Sequence, residues 1–426
     1  TMSEPQKQPQ EQQPQQEQQP EAPQQPEQKP EQQQPTFVAI VLTAVGITLV
    51  AVIASWFIPG ELTSLEVFTP KEKASDFSFS DFYTMVANNT GNVRTDPDIT
   101  IVAVDGCTRA EMGRAIAVAD SCGAAVIGLD LIFSPPTTDS DPIIEAIDTA
   151  RNIVLPTVLE GGDQNRFTES RSSYFMPALS GNYTLASANI NGDMDNSTTR
   201  YFKPEFRLND EIVPSMATAI AELYRPGSAG ELIDRGNDME MINFSNREFI
   251  RLTPGEMIEN SRFIRDHIVL IGYANDPADT HRSPLVNKMP GIDIHAHTIA
   301  TVIGREYINY SPHWMSVALA MLVCCLIIVA GLYSRKHLWG AILVRLLQVA
   351  VMFGVLYAGS LIYIRCHYSF DFMPAITVSI LGLVIMDVVI GLSVMASNAF
   401  KVLRHYTRLV VDKINKPGTK DNPKKN

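Results

Sequence analysis

Four long apolar runs stand out in the pattern of hydrophobic and polar positions along the chain. Each reaches the roughly 20 residues that cross the hydrocarbon of a bilayer, so the pattern predicts four transmembrane helices. They cover residues 36–58, 313–333, 340–364 and 373–399. The first run has neither the basic lead nor the small-residue cleavage site of a signal peptide, so we interpret it as a retained anchor. A soluble protein is excluded.

Residues 60–312, between the first and second apolar runs, show short apolar runs separated by helical stretches. Strands are expected over residues 99–105, 124–133 and 152–158, with helices between them. These runs are apolar without alternation, which is typical of a parallel sheet that is covered on both faces. We therefore expect an α/β domain with a mostly parallel sheet.

The second half of this block is expected to add two more parallel-type strands and one hairpin. The pattern indicates apolar strands at 184–190, 241–244 and 267–272, and helices at 214–225, from 254 onward and at 291–304. Residues 225–240 carry Gly and many charged residues, and they are expected to be a surface insertion. A Phe-rich stretch around Phe82 predicts a short helix that leads into the domain.

The distribution of charge predicts the orientation in the membrane. Residues 1–35 hold 15 Gln and 8 Pro with a net charge of −4, and they are expected to be a disordered tail. Residues 60–312 carry −16, whereas the chain after residue 312 carries +8. The positive-inside rule places the turn with Arg335 and the basic tail at 400–426 in the cytoplasm. Both termini are then cytoplasmic, and residues 60–312 lie outside the membrane. An acidic exterior domain also argues against nucleic acid as a partner.

Several separate motifs within residues 60–399 resemble one family, the second class of CHASE domains. The motifs are IVAVDG (101–106), CGAAVIGLDLIFSPP (122–136), NINGDMDNSTTRYFKPEF (189–206), IVLIGYANDPADTHRSPL (268–285) and MPGIDIHAHTIATVIG (289–304). Three clustered spans after the domain complete the match. The family consists of extracellular sensors on bacterial kinases and cyclases, so the resemblance implies a periplasmic sensor in the bacterial inner membrane.

The chain also departs from this family's pattern. CTRAEMGR stands where the family often has a Trp-Pro-Trp-x-Arg segment, and Asp195-Asn196 replaces an Asp-Gly pair. Only 27 residues follow Ala399, too few for a kinase or cyclase. We therefore expect a separate cytoplasmic effector protein as a partner. The chain is also expected to form a homo-oligomer.

Three carboxylates are expected at one rim of the sheet. Asp105 and Asp130 end predicted strands, and Asp279 follows the last strand, while ligands in open α/β sheets collect at the carboxyl ends of strands. With His295, these side chains are the predicted ligand-binding residues for an unknown small molecule. The alternative, which we weigh more heavily, is that Asp105 caps the helix near residue 108 and that Asp130 binds loop amides.

The histidines invite comparison with a zinc site. His281, His295, His297 and Asp293 are the potential ligands. Residues 295 and 297 point to opposite sides of a helix, so they cannot share a metal, and no metal or other cofactor is predicted. We interpret His295 as a residue near the helix start that is hydrogen-bonded to the loop of Asp279. The sequence contains no nucleophile elbow or phosphate loop, so no catalytic residues are predicted.

Two charged residues lie within the predicted spans. Asp387 is near the middle of the last span, where an unpaired carboxylate is costly, and Arg345 is the only basic side chain within the spans. The pair is a predicted coupling element between helices. An equally weighted alternative is a protonated Asp387 that is hydrogen-bonded to a serine such as Ser316.

After the last span the chain continues as a predicted amphipathic helix. Apolar residues recur at 403, 406, 410 and 414 with Lys and Arg between them. Such a helix can lie on anionic lipid or pair with a partner helix. The alternative, which we weigh somewhat more heavily, is a solvated flank of the last span that only skims the lipid. The sequence thus favours a membrane sensor that relays a periplasmic signal to a separate effector. A scaffold subunit of a membrane complex and a metal-dependent hydrolase are the alternatives.

Overall fold

The computed structural model describes residues 36–57, 78–135, 142–162, 166–190, 198–244, 246–334 and 338–415. The Gln/Pro-rich tail, the basic turn at Arg335 and residues 416–426 of the basic C-terminal tail lie outside the described residues. The helices are α1 (Phe37–Ser55), α2 (Phe79–Thr90), α3 (Arg109–Ser121), α4 (Pro142–Thr149), α5 (Met216–Tyr224), α6 (Ser228–Ile233), α7 (Gly291–Ile303), α8 (His313–Ser334), α9 (Leu338–Cys366) and α10 (Met373–Asn415). The strands are β1 (Arg94–Ala103), β2 (Val126–Asp130), β3 (Ile153–Glu160), β4 (Glu169–Ser172), β5 (Thr184–Ser187), β6 (Tyr201–Phe202), β7 (Glu205–Leu208), β8 (Glu211–Pro214), β9 (Glu240–Met241), β10 (Arg247–Leu252), β11 (Ile268–Gly272), β12 (Thr280–His281), β13 (Met289–Pro290), β14 (Asn309–Tyr310) and β15 (Tyr368–Ser369).

A seven-stranded sheet forms the centre of the domain between α1 and α8. Its order is β10-β1-β11-β2-β3-β4, and β5 also pairs with β3. The pairings are parallel except that of β3 with β4. The register sets Ala103, Gly272 and Asp130 side by side at the carboxyl ends of β1, β11 and β2. The structure confirms the expected α/β fold with a mostly parallel sheet.

Helices cover both faces of the sheet, because the side chains of its central strands alternate between two apolar cores. Ile99 and Ile101 of β1 pack with α5 and α7 on one face. Val102 of the same strand packs with α3 and α4 on the other face. All three side chains are fully buried, and each such burial contributes about 1.5–3 kcal/mol.

Two sequence expectations about this domain were wrong. The pattern missed β10, which pairs with β1 at the edge of the sheet, because three of its six residues are charged and no continuous apolar run marks it. The segment from residue 254 forms turns and one 3₁₀ turn, Ser261–Phe263, rather than an α-helix. Residues 225–240 are largely exposed, as expected of a surface insertion, and they contain α6, whose Leu232 is fully buried in the domain.

Within the described part of the chain, four helices, α1, α8, α9 and α10, are long and apolar enough to cross a membrane. Helix α8 packs against α1 and α10 around small residues, including Ala44, Ala51 and Ala320, which are fully buried. Gly382 of α10 lets Cys324 approach closely, since a Cβ at this glycine would lie 2.4 Å from the Cys324 sulfur. Small residues at such contacts allow helices in lipid to pack tightly.

The domain is attached to the membrane helices through α2 and a short strand pair. Tyr83 of α2 is fully buried against Tyr363 and Phe372, and the hydroxyls of Thr84 and Tyr363 lie 2.8 Å apart. Strand β14, which precedes α8, pairs in parallel with β15, which lies between α9 and α10. The domain therefore contacts the adjacent ends of the spans through side chains and backbone hydrogen bonds.

Candidate functional site

Four polar side chains meet at the carboxyl ends of the central strands, and we call them the rim cluster: Asp130, Asp279, His281 and His295. Asp130 is the last residue of β2, Asp279 and His281 belong to the segment after β11, and His295 lies in the second turn of α7. Gly272 of β11 makes room for the cluster. A Cβ at this position would lie 3.1 Å from the Asp130 Cβ and 3.0 Å from the Ile292 side chain.

Asp279 sits against the first residue of α7. Its backbone oxygen accepts a hydrogen bond from the Gly291 amide at 3.1 Å, and its carboxylate fills the space that a side chain at Gly291 would need. A carboxylate at a helix N-terminus is stabilised by the helix dipole. The His281 Nε2 lies 3.0 Å from the Asp279 carboxylate, and the β12–β13 pairing holds His281 there. His281 was not among the predicted ligand residues, although its position two residues after Asp279 was a usable signal.

The carboxylate of Asp130 is largely but not fully buried, and it has no hydrogen-bond donor among the described residues. Its side chain is 14% exposed, and the His295 Nε2 lies 3.9 Å from one of its oxygens. Burial raises the pKa of Asp130, and the charge of Asp279 raises it further, while His295 and His281 oppose the shift. A buried carboxylate with a raised pKa in a polar cluster is typical of a functional site. The predicted hydrogen bonds from loop amides to Asp130 are absent from the described part of the chain.

Asp105 lies apart from the rim cluster. Its carboxylate accepts hydrogen bonds from the backbone amides of Ala274 at 3.0 Å and Asn275 at 2.8 Å. The expected role as a helix cap was wrong, because Thr108 caps α3 in a reciprocal capping box with Glu111. Asp105 therefore anchors the segment after β11, from which Asp279 and His281 project.

The other potential metal ligands point away from the cluster. His297 lies between Phe244 and Phe249 with ring centroids 5.1 and 4.9 Å away, and burial lowers its pKa to about 3. Asp293 forms an ion pair with Arg251 of β10. The expected hydrogen bond of His295 to the loop of Asp279 was wrong, since His281 occupies that position. Among the described residues, no group of three or more His, Cys, Asp or Glu side chains is arranged to hold a metal ion.

Two cavities lie near the sheet. A small cavity of about 20 Å³, enough for about one water molecule, is lined by His295, Lys203 and Ser215. An open cleft of about 480 Å³ lies at the opposite end of the sheet, around Asp148 and Tyr183. That cleft is larger, but it lies at the amino ends of β3 and β5, whereas ligands of such sheets bind at the carboxyl ends of the strands. We therefore place the candidate site at the rim cluster.

The two charged residues of the spans form an ion pair. The Arg345 guanidinium of α9 donates to the Asp387 carboxylate of α10. Ser316, the alternative partner, instead lies 3.2 Å from the Ser311 hydroxyl. Arg345 is seven positions after the start of α9, about 10 Å along the axis, and its contact with Asp387 lies at that level of the bundle.

Asp130→Asn is expected to raise the stability of the domain at neutral pH. A raised pKa in the folded state means that ionisation of Asp130 opposes folding. In the parent, the stability that the protonated Asp130 side chain contributes is therefore fully present below about pH 4, and it is lost as the pH rises through the folded-state pKa. Thermal unfolding of the full-length protein at pH 5 and pH 7.5 measures this effect. The variant should gain more over the parent at the higher pH, and Asp210→Asn, at an exposed pair, is the control. An equal or lower midpoint for Asp130→Asn at pH 7.5 would contradict the interpretation.

The fold and the spans define a multi-pass membrane protein with an α/β domain between its first and second spans. The model of the CHASE2 domain matches residues 48–332, which is more than half of the chain. The chain therefore belongs to the CHASE2 domain family, as its motifs indicated, and CHASE2 domains are extracellular sensory domains. No curated protein and no solved structure matched the chain.

Proposed function

We propose that this protein is a receptor of the bacterial inner membrane whose periplasmic domain binds a small solute at the rim cluster and relays the signal to a cytoplasmic effector. One observation supports this most strongly. The rim cluster surrounds the N-terminus of α7, and residues 304–312 are all that separate the C-terminus of α7 from membrane helix α8. A displacement of α7 therefore has a short covalent route to the membrane.

The segment between α7 and α8 also connects to the remaining spans. Asn309 donates its backbone amide to the His367 oxygen at 2.8 Å, and Ser311 donates to the Ser369 oxygen at 3.0 Å. Residues 367 and 369 lie between α9 and α10. Movement at the end of α7 would thus reach α8 through the chain and α10 through these hydrogen bonds. Coupling through packed elements with two arrangements is a common basis for switching.

The chemistry of the cluster favours a solute with a positive charge or hydroxyl groups. Asp130 and Asp279 offer acceptors, and a buried carboxylate without a donor is stabilised by a ligand that supplies one. An anion would be repelled by the two carboxylates. The sensory character of CHASE2 domains favours this receptor over the hydrolase alternative. If the protein is instead a scaffold, no solute needs to bind at the rim cluster, and no solute should then stabilise the protein in the experiment below.

The test is a search for solutes that stabilise the full-length protein. Purified protein in nanodiscs is heated with amines, polyols and divalent cations, since a molecule that binds the native state raises its unfolding temperature. The stabilisation should be lost in Asp279→Asn and His281→Ala but kept in Asp148→Asn, which alters the opposite cleft. Hydrogen exchange should also change in the cytoplasmic part of α10 when the solute binds. Loss of stabilisation only in Asp148→Asn would move the site to that cleft and refute the proposal.

A further inference from the structure

Helix α10 continues well beyond the membrane. Its 43 residues span about 65 Å, about twice the thickness of the bilayer hydrocarbon. From residue 391 to residue 411 every side chain is exposed, so this part of α10 has left the bundle. The helix contains no Gly or Pro between residues 392 and 415 that would favour a bend.

One side of this exposed helix carries an uninterrupted apolar stripe, which we call the α10 stripe. Its members are Leu392, Ala396, Ala399, Leu403, Tyr406 and Val410. They are spaced four and three residues apart in alternation, which is the heptad repeat of a coiled coil. The basic residues Lys401, Arg404 and Arg408 lie roughly 100–160° around the helix axis from Leu403. The stripe therefore contains no charge.

We propose that the α10 stripe binds a second copy of this chain, as a parallel coiled coil that begins in the inner leaflet and continues into the cytoplasm. The proposal goes beyond sensing, since it does not depend on what the rim cluster binds.

The position of the stripe favours a second copy over a soluble partner helix. Leu392 lies in the apolar part of α10, where a soluble partner cannot reach it, and the same stripe continues to Val410 without a shift in register. A second copy is anchored at the same depth and presents the same residues at the same level. Membrane anchoring also raises the effective concentration of one helix at the other.

The charges are arranged as this pairing requires. In a parallel pair identical residues face each other, and like charges within the stripe would repel, but Lys401, Arg404 and Arg408 all point to the outside. Asp387 lies on the side away from the stripe, where Arg345 of the same chain neutralises it. A helix that lay flat on anionic lipid would instead have to bend near residue 396, within a segment that is helical throughout.

Cysteine crosslinking of the full-length protein in native membranes tests the proposal. The chain has five free cysteines, which are first replaced, and single cysteines are then introduced along 399–410. These positions are exposed, so the substitutions leave the bundle and domain intact. Oxidation should give crosslinked dimers for Ala399→Cys, Leu403→Cys, Tyr406→Cys and Val410→Cys. The matched controls Lys401→Cys, Arg404→Cys and Arg408→Cys should give only background.

The mass of the protein in nanodiscs provides a second measurement. The parent should have twice the protein mass of the monomer, and Leu403→Glu with Val410→Glu should reduce the dimer fraction, whereas Arg404→Glu should not. Equal crosslinking at stripe and control positions, or none at any position, would overturn the proposal. If the protein is monomeric and lipid protects the introduced stripe cysteines from reaction, the α10 stripe lies on the membrane surface instead, and the proposal is wrong.

Discussion

Arg345→Leu alone is expected to destabilise the bundle by about 3 kcal/mol, and Arg345→Leu combined with Asp387→Leu is expected to recover most of that loss. Each single change leaves one charge without its partner in an apolar environment. The ion pair joins α9 to α10 directly. Removal of both charges leaves two apolar side chains that pack in lipid like their neighbours.

The test is a double-mutant cycle of the parent, the two single variants and the double variant. The free energies of unfolding of these four full-length proteins in mixed micelles give the coupling energy between Arg345 and Asp387. Val389→Leu, on an exposed position of α10 two residues away, is the control for changes in side-chain size. Equal stability of the single and double variants would mean that the pair contributes nothing to holding the helices. The α10 stripe would be unaffected by that outcome, since it lies on the other side of the helix.

Arg200→Leu is expected to loosen α2 from the domain at a cost of about 3–5 kcal/mol, because it leaves the buried Asp81 without a cation. The Arg200 guanidinium donates to both carboxylate oxygens of Asp81 at 2.7 Å, and the two side chains are only 10% and 11% exposed. Asp81 also accepts a hydrogen bond from the Ser78 amide in the capping box of α2. Loss of the pair therefore acts on the helix that carries Tyr83 and Thr84 to the spans.

Hydrogen exchange over Phe79–Thr90 in the full-length protein measures this effect, together with the temperature of unfolding. The control is Arg171→Leu, whose ion pair with Glu160 is 59% and 47% exposed and is expected to contribute less than about 1 kcal/mol. Arg200→Lys keeps the charge but not the two parallel hydrogen bonds, so an intermediate effect is expected. Similar losses in Arg200→Leu and Arg171→Leu would show that the burial of the Asp81 pair has no special role.

The central strands could be predicted because their surroundings leave a strong local pattern. Strands β2 and β11 are buried on both faces, so every residue is apolar or small until Asp130 ends β2. Strand β10 has a neighbour on one side only, and its polar residues obscured it. The helix expected from residue 254 failed because Met257 and Ile264 reach the core from turns, and apolar spacing alone does not distinguish these from a helix.

The candidate site was only partly accessible to the same reasoning. The rule that ligands collect at the carboxyl ends of strands pointed to Asp130, Asp279 and His295, and the structure brings these three together. Their role in ligand binding stays a prediction. The rule also included Asp105, which the backbone amides of residues 274 and 275 hold apart from the cluster. The direction of loop amides depends on the folded loop and leaves no periodic trace in the sequence.

The sequence by itself determined the four apolar spans, the parallel sheet and the unequal charge of the two sides. These properties follow from the hydrophobicity and periodicity of neighbouring residues, which a chain carries whether or not it is folded. Only the tertiary structure decided which partners meet. It pairs Asp387 with Arg345 across 42 residues, where the sequence left Ser316 as an equal alternative, and it pairs Asp81 with Arg200 across 119 residues. The reason is physical, because a buried charge specifies that it needs a partner, while the packing of distant elements determines which residue provides it.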